Sequence, residues 1–533
     1  MVAPTKILAA SAVVLLGLTQ SSSAVKDLTI QKSLGDIPSV KLHVTFKRKS
    51  MNLHGQSEFD IFASPVVSDT GDAVLVHYNS YATFHDEDSE FTYTVVDGSA
   101  YLTTDALDVE TVRCLPSSTL PFDKILPALN AATPIPSASI GDKSVKCDSG
   151  NLFKTTFAGV HYAICAEGEA GLTAYSSDLD IAVEYLNGPV SIEKPELTDQ
   201  SKCEIVQKPI ELTPTALALA TGSEIPSSTS RKLKEEVHLA MQATQCQCKS
   251  TPRPCIFLHG LGNPNQEDLL QDTPELTRRK FGDIHGHAPC CSEIKYAVLN
   301  TVDAGWRNDT LQDLFCKHSL SMSSTSDVGA GIIDNTIVVT HSMGGLVMAH
   351  ALAKGKCKFS ETTSWVALSP PMTGSMAADF LMDVCSEETN DVAAGIFDVL
   401  GQCPMPKSRK DTIYQGGKYS TPSIDAAYVA AQQAYRENVA AAMCSDRFLG
   451  LLSSYQAGCV LAGTVVPHKS KKNDGLVEFQ SCLGGLNEAI FGNHYLDRFY
   501  RPQLNHADTA FLTGEGLFKD SQKPHKWFEC LEL

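Results

Sequence analysis

The chain has 533 residues, enough for two or three domains at about 150 residues each. Its 43 Lys and Arg against 61 Asp and Glu leave a net charge of −18, which argues against a nucleic-acid partner, since such proteins present a basic face to phosphate. With 43% hydrophobic and 20% charged residues, the composition is that of a globular chain with a real core.

Residues 1–24 read as a signal peptide. Lys6 precedes an apolar run over 7–18, and the small residues Ser22 and Ala24 fit a cleavage site that leaves Val25 as the first mature residue. The run is too short to span a bilayer, and no later stretch is long enough, so no transmembrane segment is expected once the signal is removed. The 17 cysteines point the same way. No two CxxC pairs have the spacing of a zinc site, so the cysteines read as disulfides formed in an oxidising compartment, and a secreted, extracellular protein is expected. Four cysteines precede residue 240 and thirteen follow it, so at least one thiol in the second part is free or pairs between molecules.

Residues 25–205 read as a β-rich accessory domain. Leu42, Val44 and Phe46 alternate with polar residues, as do Phe91, Tyr93 and Val95, and Asp97-Gly98 reads as a hairpin turn into Tyr101-Leu102. Runs over 157–164 and 179–186 look similar, and the segment carries no catalytic constellation. Residues 206–235 have linker composition, rich in Pro, Thr, Ser, Ala and Gly. The dibasic Arg231-Lys232 within it is either a processing site or a solvated pair of charges.

From residue 236 the pattern becomes short β-branched runs alternating with helical stretches, over 255–258, 294–299, 336–340, 365–368 and 459–462. Such alternation predicts a mostly parallel sheet covered on both faces. Asn308-Asp309-Thr310 is a glycosylation sequon. Residues 424–443 read as an Ala-rich helix begun by Thr421-Pro422-Ser423, either a lid over an acyl chain or a core helix.

The strongest feature is Thr340-His341-Ser342-Met343-Gly344-Gly345, where a buried strand runs into a helix across one serine. A turn of this kind holds the serine hydroxyl above the sheet, with small neighbours where strand and helix pass closely. The position usually held by the first glycine is Thr340. The helix start aims the Met343 N–H toward an oxyanion, and His259-Gly260-Leu261-Gly262, after another strand, offers the Leu261 N–H as a second donor. A serine needs a base, and the base needs an orienting carboxylate. Asp474, at the turn Asn473-Asp474-Gly475, and His506, in Asn505-His506-Ala507-Asp508, follow Ser342 in suitable order. His494 is a rival base. His341 reads as structural.

These motifs resemble the α/β-hydrolase superfamily, and within it the bacterial true lipases. The matching sets are His259-Gly260-Leu261, His341 through Gly345, Ser369 through Ser375 with Ala378-Asp379-Phe380-Leu381, Asn473 through Val477 and Asn505 through Asp508, in order over 254–508. The resemblance implies an α/β-hydrolase fold for residues 236–533, with a cap around 380–455. It implies a Ser342–His506–Asp474 triad acting on carboxylic esters, with lipid or another ester as substrate and peripheral contact with a lipid surface. Inositol-deacylase-like or thioesterase activity are the alternatives, and a catalytically silent binding protein is the reading from another class. In such lipases an aspartate at the position of Asp508 binds calcium. The second aspartate ligand has no counterpart, because residues 451–458 hold no carboxylate, and no metal or other cofactor is expected. The residues that bind the substrate are not legible in the sequence.

Overall fold

The computed structural model describes residues 37–533 apart from 70–73, 87–88, 107–108, 117–120, 198–201, 227–237, 244, 278 and 386–404. The signal-peptide reading of 1–24, the Arg231-Lys232 pair and much of the expected cap therefore lie outside the described residues. Two compact units divide the chain: Met1–Arg48 with Asn52–Thr244, and Lys49–Met51 with Gln245–Leu533.

The first unit is built on an antiparallel sheet of eleven strands. Val40–Phe46 lies inside it and pairs with Glu58–Asp69 on one side and Leu179–Tyr185 on the other. From there one meander runs outward through Val74–Asp86, Ser89–Val96, Ser99–Ala106 and Val109–Cys114. The other runs back through Leu172–Tyr175, Val160–Ala166 and Leu152–Phe157 to Thr133–Pro134. The Asp97-Gly98 turn has both residues at positive φ, 51° and 75°, which suits the twist of a two-residue hairpin. The run over 157–164 is not one strand. It folds back at Ala158-Gly159, also at positive φ, and joins two strands.

The presumed linker contributes to this unit. Pro214–Thr221 is a helix, started by the Thr213 side chain accepting from the Ala216 N–H and ended by Gly222 at φ 70°. Residues Thr215 to Ala220 are all buried, and the Tyr185 hydroxyl donates to the Leu219 carbonyl at 2.6 Å. Composition misread this stretch because alanines that look like spacer also pack closely. Likewise Leu239–Met241, placed in the second domain by the expected boundary at 236, pairs with Ala138–Ile140 in the first unit.

The second unit contains a seven-stranded sheet whose pairings are all parallel. Its strand order is Cys291–Tyr296, Arg253–Leu258, Ile337–His341, Ser364–Leu368, Val439–Met443, Phe499–Tyr500 and Phe491–Gly492. Apolar clusters cover both faces, one around Trp306, Leu346 and Trp365, the other around Phe257, Phe281 and Trp527. Helix Met343–Ala353, apolar nearly all round, is sandwiched between Asp309–Leu320 and Pro422–Asn438. Asn308 caps the first of these, its Oδ1 accepting from the Leu311 N–H at 3.0 Å, and stays exposed.

The expected α/β-hydrolase class does not describe this chain. The largest sheet is the antiparallel one of eleven strands, and helix makes up only 24%. The parallel sheet departs from strict strand–helix alternation for local reasons. Among the described residues, Arg253–Leu258 connects to Cys291–Tyr296 with only the short turn of helix Glu275–Thr277 between them. Phe491–Gly492 and Phe499–Tyr500 are two-residue strands with no helix between. The run over 459–462, read as a strand, lies in helix Gln456–Val465. The strand beside Ser364–Leu368 is instead Val439–Met443. The expected cap over 380–455 is also revised. Residues 422–443 supply a helix packed on Met343–Ala353 and a strand of the sheet, with Ile424, Tyr428, Ala431, Ala434 and Tyr435 facing inward.

Seven disulfides are seen among the described residues. Cys114–Cys203 and Cys147–Cys165 staple the first unit. Cys246–Cys530, Cys248–Cys290, Cys255–Cys291, Cys316–Cys357 and Cys444–Cys482 staple the second. Such a set is compatible with a secreted protein. Cys459 is free, in keeping with the odd count in the second part. No helix among the described residues is long and apolar enough to cross a membrane.

Candidate active site

Ser342 sits between strand Ile337–His341 and helix Met343–Ala353 at φ 54°, ψ −132°. A β-carbon at these angles is strained, a cost of about 1–3 kcal/mol that the surroundings must hold in place. They do so from both sides. The Ser342 N–H donates to the Leu368 carbonyl at 2.8 Å, and its own carbonyl accepts from Gly345 N–H at 2.9 Å. The glycines are required by contact: a Cβ on Gly344 would lie 2.7 Å from the Leu258 carbonyl oxygen, and one on Gly345 would lie 2.6 Å from Pro370 Cβ. Thr340, where a glycine is usual, is accommodated because its hydroxyl accepts from the Trp365 indole N–H at 2.9 Å.

Three side chains distant in sequence meet at this turn. His506 Nε2 lies 3.0 Å from Ser342 Oγ, and His506 Nδ1 lies 2.8 Å from Asp474 Oδ2. All three are buried. Asp474 Oδ1 accepts from the N–H groups of Leu476 and Val477 at 3.0 and 2.8 Å. Burial pushes the Asp474 carboxyl up, but His506 and these two amides outweigh it, and the group lies below the usual carboxylate range. With Asp474 ionised, Nδ1 of His506 carries the proton and Nε2 is left to accept from the serine hydroxyl. The His506 N–H also donates to the Asp474 carbonyl at 2.9 Å, so backbone as well as side chain joins the two loops.

His494 is not near this site. Its Nε2 lies 3.4 Å from Asp520 and its ring is partly exposed. His341 lies directly under His506, with ring centres 4.7 Å apart and its Nε2 donating to the His506 carbonyl at 3.2 Å. Burial, together with the proximity of His506, holds its pKa well below the ordinary histidine value.

The loop His259-Gly260-Leu261 comes within touching distance of the turn. A Cβ on Gly260 would lie 2.7 Å from Ser342 Cβ and 3.1 Å from the Met343 nitrogen. His259 fixes the loop: its Nδ1–H donates to the Gly260 carbonyl at 2.9 Å and its Nε2 accepts from Leu299 N–H at 3.2 Å. Burial pushes its pKa down to about 4, which keeps this neutral tautomer. Met343 opens its helix, where the first N–H groups have no intrahelical acceptor. Leu261 lines the same cavity as Ser342.

That cavity has a volume of about 390 Å³, within the range of small-molecule sites. Its lining is mostly apolar and includes Ala378 and Leu381 of helix Met376–Cys385 and Leu461 and Ala462 of helix Gln456–Val465. The second helix escaped the sequence reading because Cys459-Val460-Leu461-Ala462 is as short and apolar as a buried strand. Cys459 also lines the cavity. Burial, with Asp508 and Asp474 nearby, pushes its thiol up to about 12, so it is not a nucleophile at neutral pH.

Asp508 is fully buried two residues beyond His506. Its Oδ2 accepts from the N–H groups of Leu451 and Asn505 at 2.9 and 2.8 Å, and its Oδ1 from the Thr513 hydroxyl at 2.6 Å. A calcium ion requires six to eight oxygen ligands. A carboxylate ringed by N–H and O–H donors does not fit that role, and among the described residues no cluster of three or more His, Cys, Asp or Glu could hold a metal. Asp508 instead ties the His506 loop to the loop at Gly450, where a Cβ would lie 2.1 Å from its Oδ2.

Burial raises the Asp508 pKa from 3.8 to about 7. A carboxyl with a raised pKa in the folded state contributes its full share of stability below the unfolded value and loses it as pH rises through the folded value. Wild-type urea stability minus that of Asp508→Asn should therefore fall as pH rises from about 4 to about 7. A difference that stays flat across that window would contradict the assignment.

No family model matches the chain, and no curated protein was found to match it in sequence.

Proposed function

We propose that the chain is a secreted serine hydrolase that cleaves carboxylic esters, lipid esters in particular, through an acyl-enzyme. The observation that carries this reading is the Ser342–His506–Asp474 relay, with contacts of 3.0 and 2.8 Å at a strained turn. The motif resemblance to bacterial true lipases supports it, as does the apolar lining of the cavity.

In this mechanism His506 Nε2 takes the hydroxyl proton as Ser342 Oγ attacks the acyl carbonyl. Asp474 holds the imidazole in the required tautomer and stabilises its charged form. The N–H groups of Leu261 and Met343 bind the tetrahedral oxyanion, each worth about 3 kcal/mol. His506 then protonates the leaving alcohol. Water, activated by the same base, attacks the acyl-enzyme and releases the carboxylic acid and free Ser342. The chain's own residues supply every group these steps use.

The test is turnover of p-nitrophenyl esters of increasing acyl length. The lipid reading expects activity on long acyl chains. Rapid turnover of acetate with none of long chains would make the protein a short-chain esterase. Asp474→Asn should lower kcat by about ten-thousand-fold at neutral pH while the fold persists, because the amide favours the wrong imidazole tautomer. A loss of less than tenfold would remove Asp474 from the relay.

A further inference from the structure

Among the described residues, the catalytic cavity is lined by Arg279, Lys280 and Arg409 and by no Asp or Glu, in a chain whose net charge is −18. Lys280 and Arg409 are half-buried. Arg409 Nη1 is shut off from solvent without a hydrogen-bond partner among the described residues. The Lys280 ammonium lies against the oxyanion loop, 3.1 Å from where a Cβ on Gly262 would sit. The carboxylates nearest in sequence are already engaged: Asp411 pairs with Arg307 at 2.7 Å, and Asp283 with His285 at 2.6 Å.

Lys280 and Arg409, partly buried on one cavity with no carboxylate lining it among the described residues, are unfavourable on their own. Burial lowers the Lys280 pKa and the nearby Arg409 lowers it further, and burial lowers that of Arg409. A fold keeps such an arrangement where a ligand completes it, and Arg and Lys side by side suit a phosphate. Apolar side chains from helices Met376–Cys385 and Gln456–Val465 line the same cavity. The cavity is therefore amphipathic, with apolar side chains and two partly buried cations lining it together with Ser342.

We propose that the site takes fatty acyl esters whose alcohol carries a phosphate, as in a glycerophospholipid with a small head group, and that Lys280 and Arg409 bind that phosphate. This rests on the ester-hydrolase reading and narrows its substrate class. The acyl bond is cleaved as described above, releasing a fatty acid and the phosphorylated alcohol, and the phosphate ester itself is untouched.

The experiment compares 1-oleoylglycerol 3-phosphate with 1-oleoylglycerol on the intact protein. A third substrate, 1-butanoylglycerol 3-phosphate, separates a lipid from a soluble phosphate ester. The phosphate-bearing oleoyl ester should be preferred in kcat/KM by about tenfold or more, as a charge-assisted contact allows. Lys280→Ala and Arg409→Ala should each shrink that ratio about tenfold, chiefly through KM, and Lys280→Arg should restore most of it. A ratio that does not respond to these variants, or a wild-type preference for the uncharged ester, overturns the proposal. Preference for the butanoyl phosphate overturns its lipid part.

Binding of 1-oleoylglycerol 3-phosphate to Ser342→Ala, measured by calorimetry, keeps the two readings apart. If the wild-type protein cleaves none of the esters, yet the Ser342→Ala protein binds the phosphate lipid and loses that binding with Lys280→Ala added, the hydrolase reading fails and the anion site stands.

Discussion

Ser342→Ala will lower ester hydrolysis by about a million-fold, to the residual level that oxyanion stabilisation and binding alone support. The hydroxyl lies 3.0 Å from His506 Nε2, and among the described residues no other side chain is hydrogen-bonded to that nitrogen. Cys459 lines the same cavity, but its thiol is pushed up to about 12 and stays protonated. The companion variant Ser342→Gly separates chemistry from fold. It should be as inactive as the alanine variant, yet gain about 1 kcal/mol in stability, because φ 54° costs glycine nothing. A Ser342→Gly protein less stable than wild type would mean that the turn is not strained, and near-normal activity in either variant would remove Ser342 from the chemistry.

His506→Ala should cost about as much as the serine change, again on the order of a million-fold, because nucleophile and base act as one unit. For the same reason the double variant Ser342→Ala, His506→Ala should lose almost nothing more than either single variant. Additive losses, with the double variant far below both singles, would show that the two side chains work separately. His494→Ala is the contrasting change. Its ring pairs with Asp520 near the surface and makes no contact with Ser342, so its activity should stay within a few-fold of wild type.

The residues of the candidate site were legible because their chemistry dictates their sequence context. A strained serine between a buried strand and a helix needs glycines after it, and Gly344 and Gly345 are there. An acid that must accept backbone N–H groups sits best at a turn, as Asp474 does. What encloses the site was less legible. Cys459 to Ala462 is apolar and short, so local pattern did not separate a strand from one side of helix Gln456–Val465. Lys280 and Arg409 come together only through the fold, and neither carries a motif. The helix Pro214–Thr221 was hidden by residues that serve equally as spacer and as close-packed filling.

The two sheets show the same division. Alternation over 40–46 and 89–96, and the Asp97-Gly98 turn, announce strands and a hairpin, because side chains of a strand point to opposite faces in turn. The order of the eleven strands is set by pairings such as Val40–Phe46 with Leu179–Tyr185, far apart in the chain, and no local pattern encodes those. In the second unit the parallel sheet followed from its buried β-branched runs. The alternation of strands and helices read from the same runs held less well, because among the described residues the connections after Arg253–Leu258 and between the last two strands carry no full helix.

Ester cleavage by this chain requires Ser342 to be an activated nucleophile. The most direct measurement is to expose the folded, disulfide-intact protein to a fluorophosphonate at neutral pH and map the adduct by peptide mass spectrometry. One equivalent should attach to Ser342, and none after denaturation or in His506→Ala. An unmodified Ser342 in the folded protein, or equal labelling of folded and denatured chains, would contradict the account.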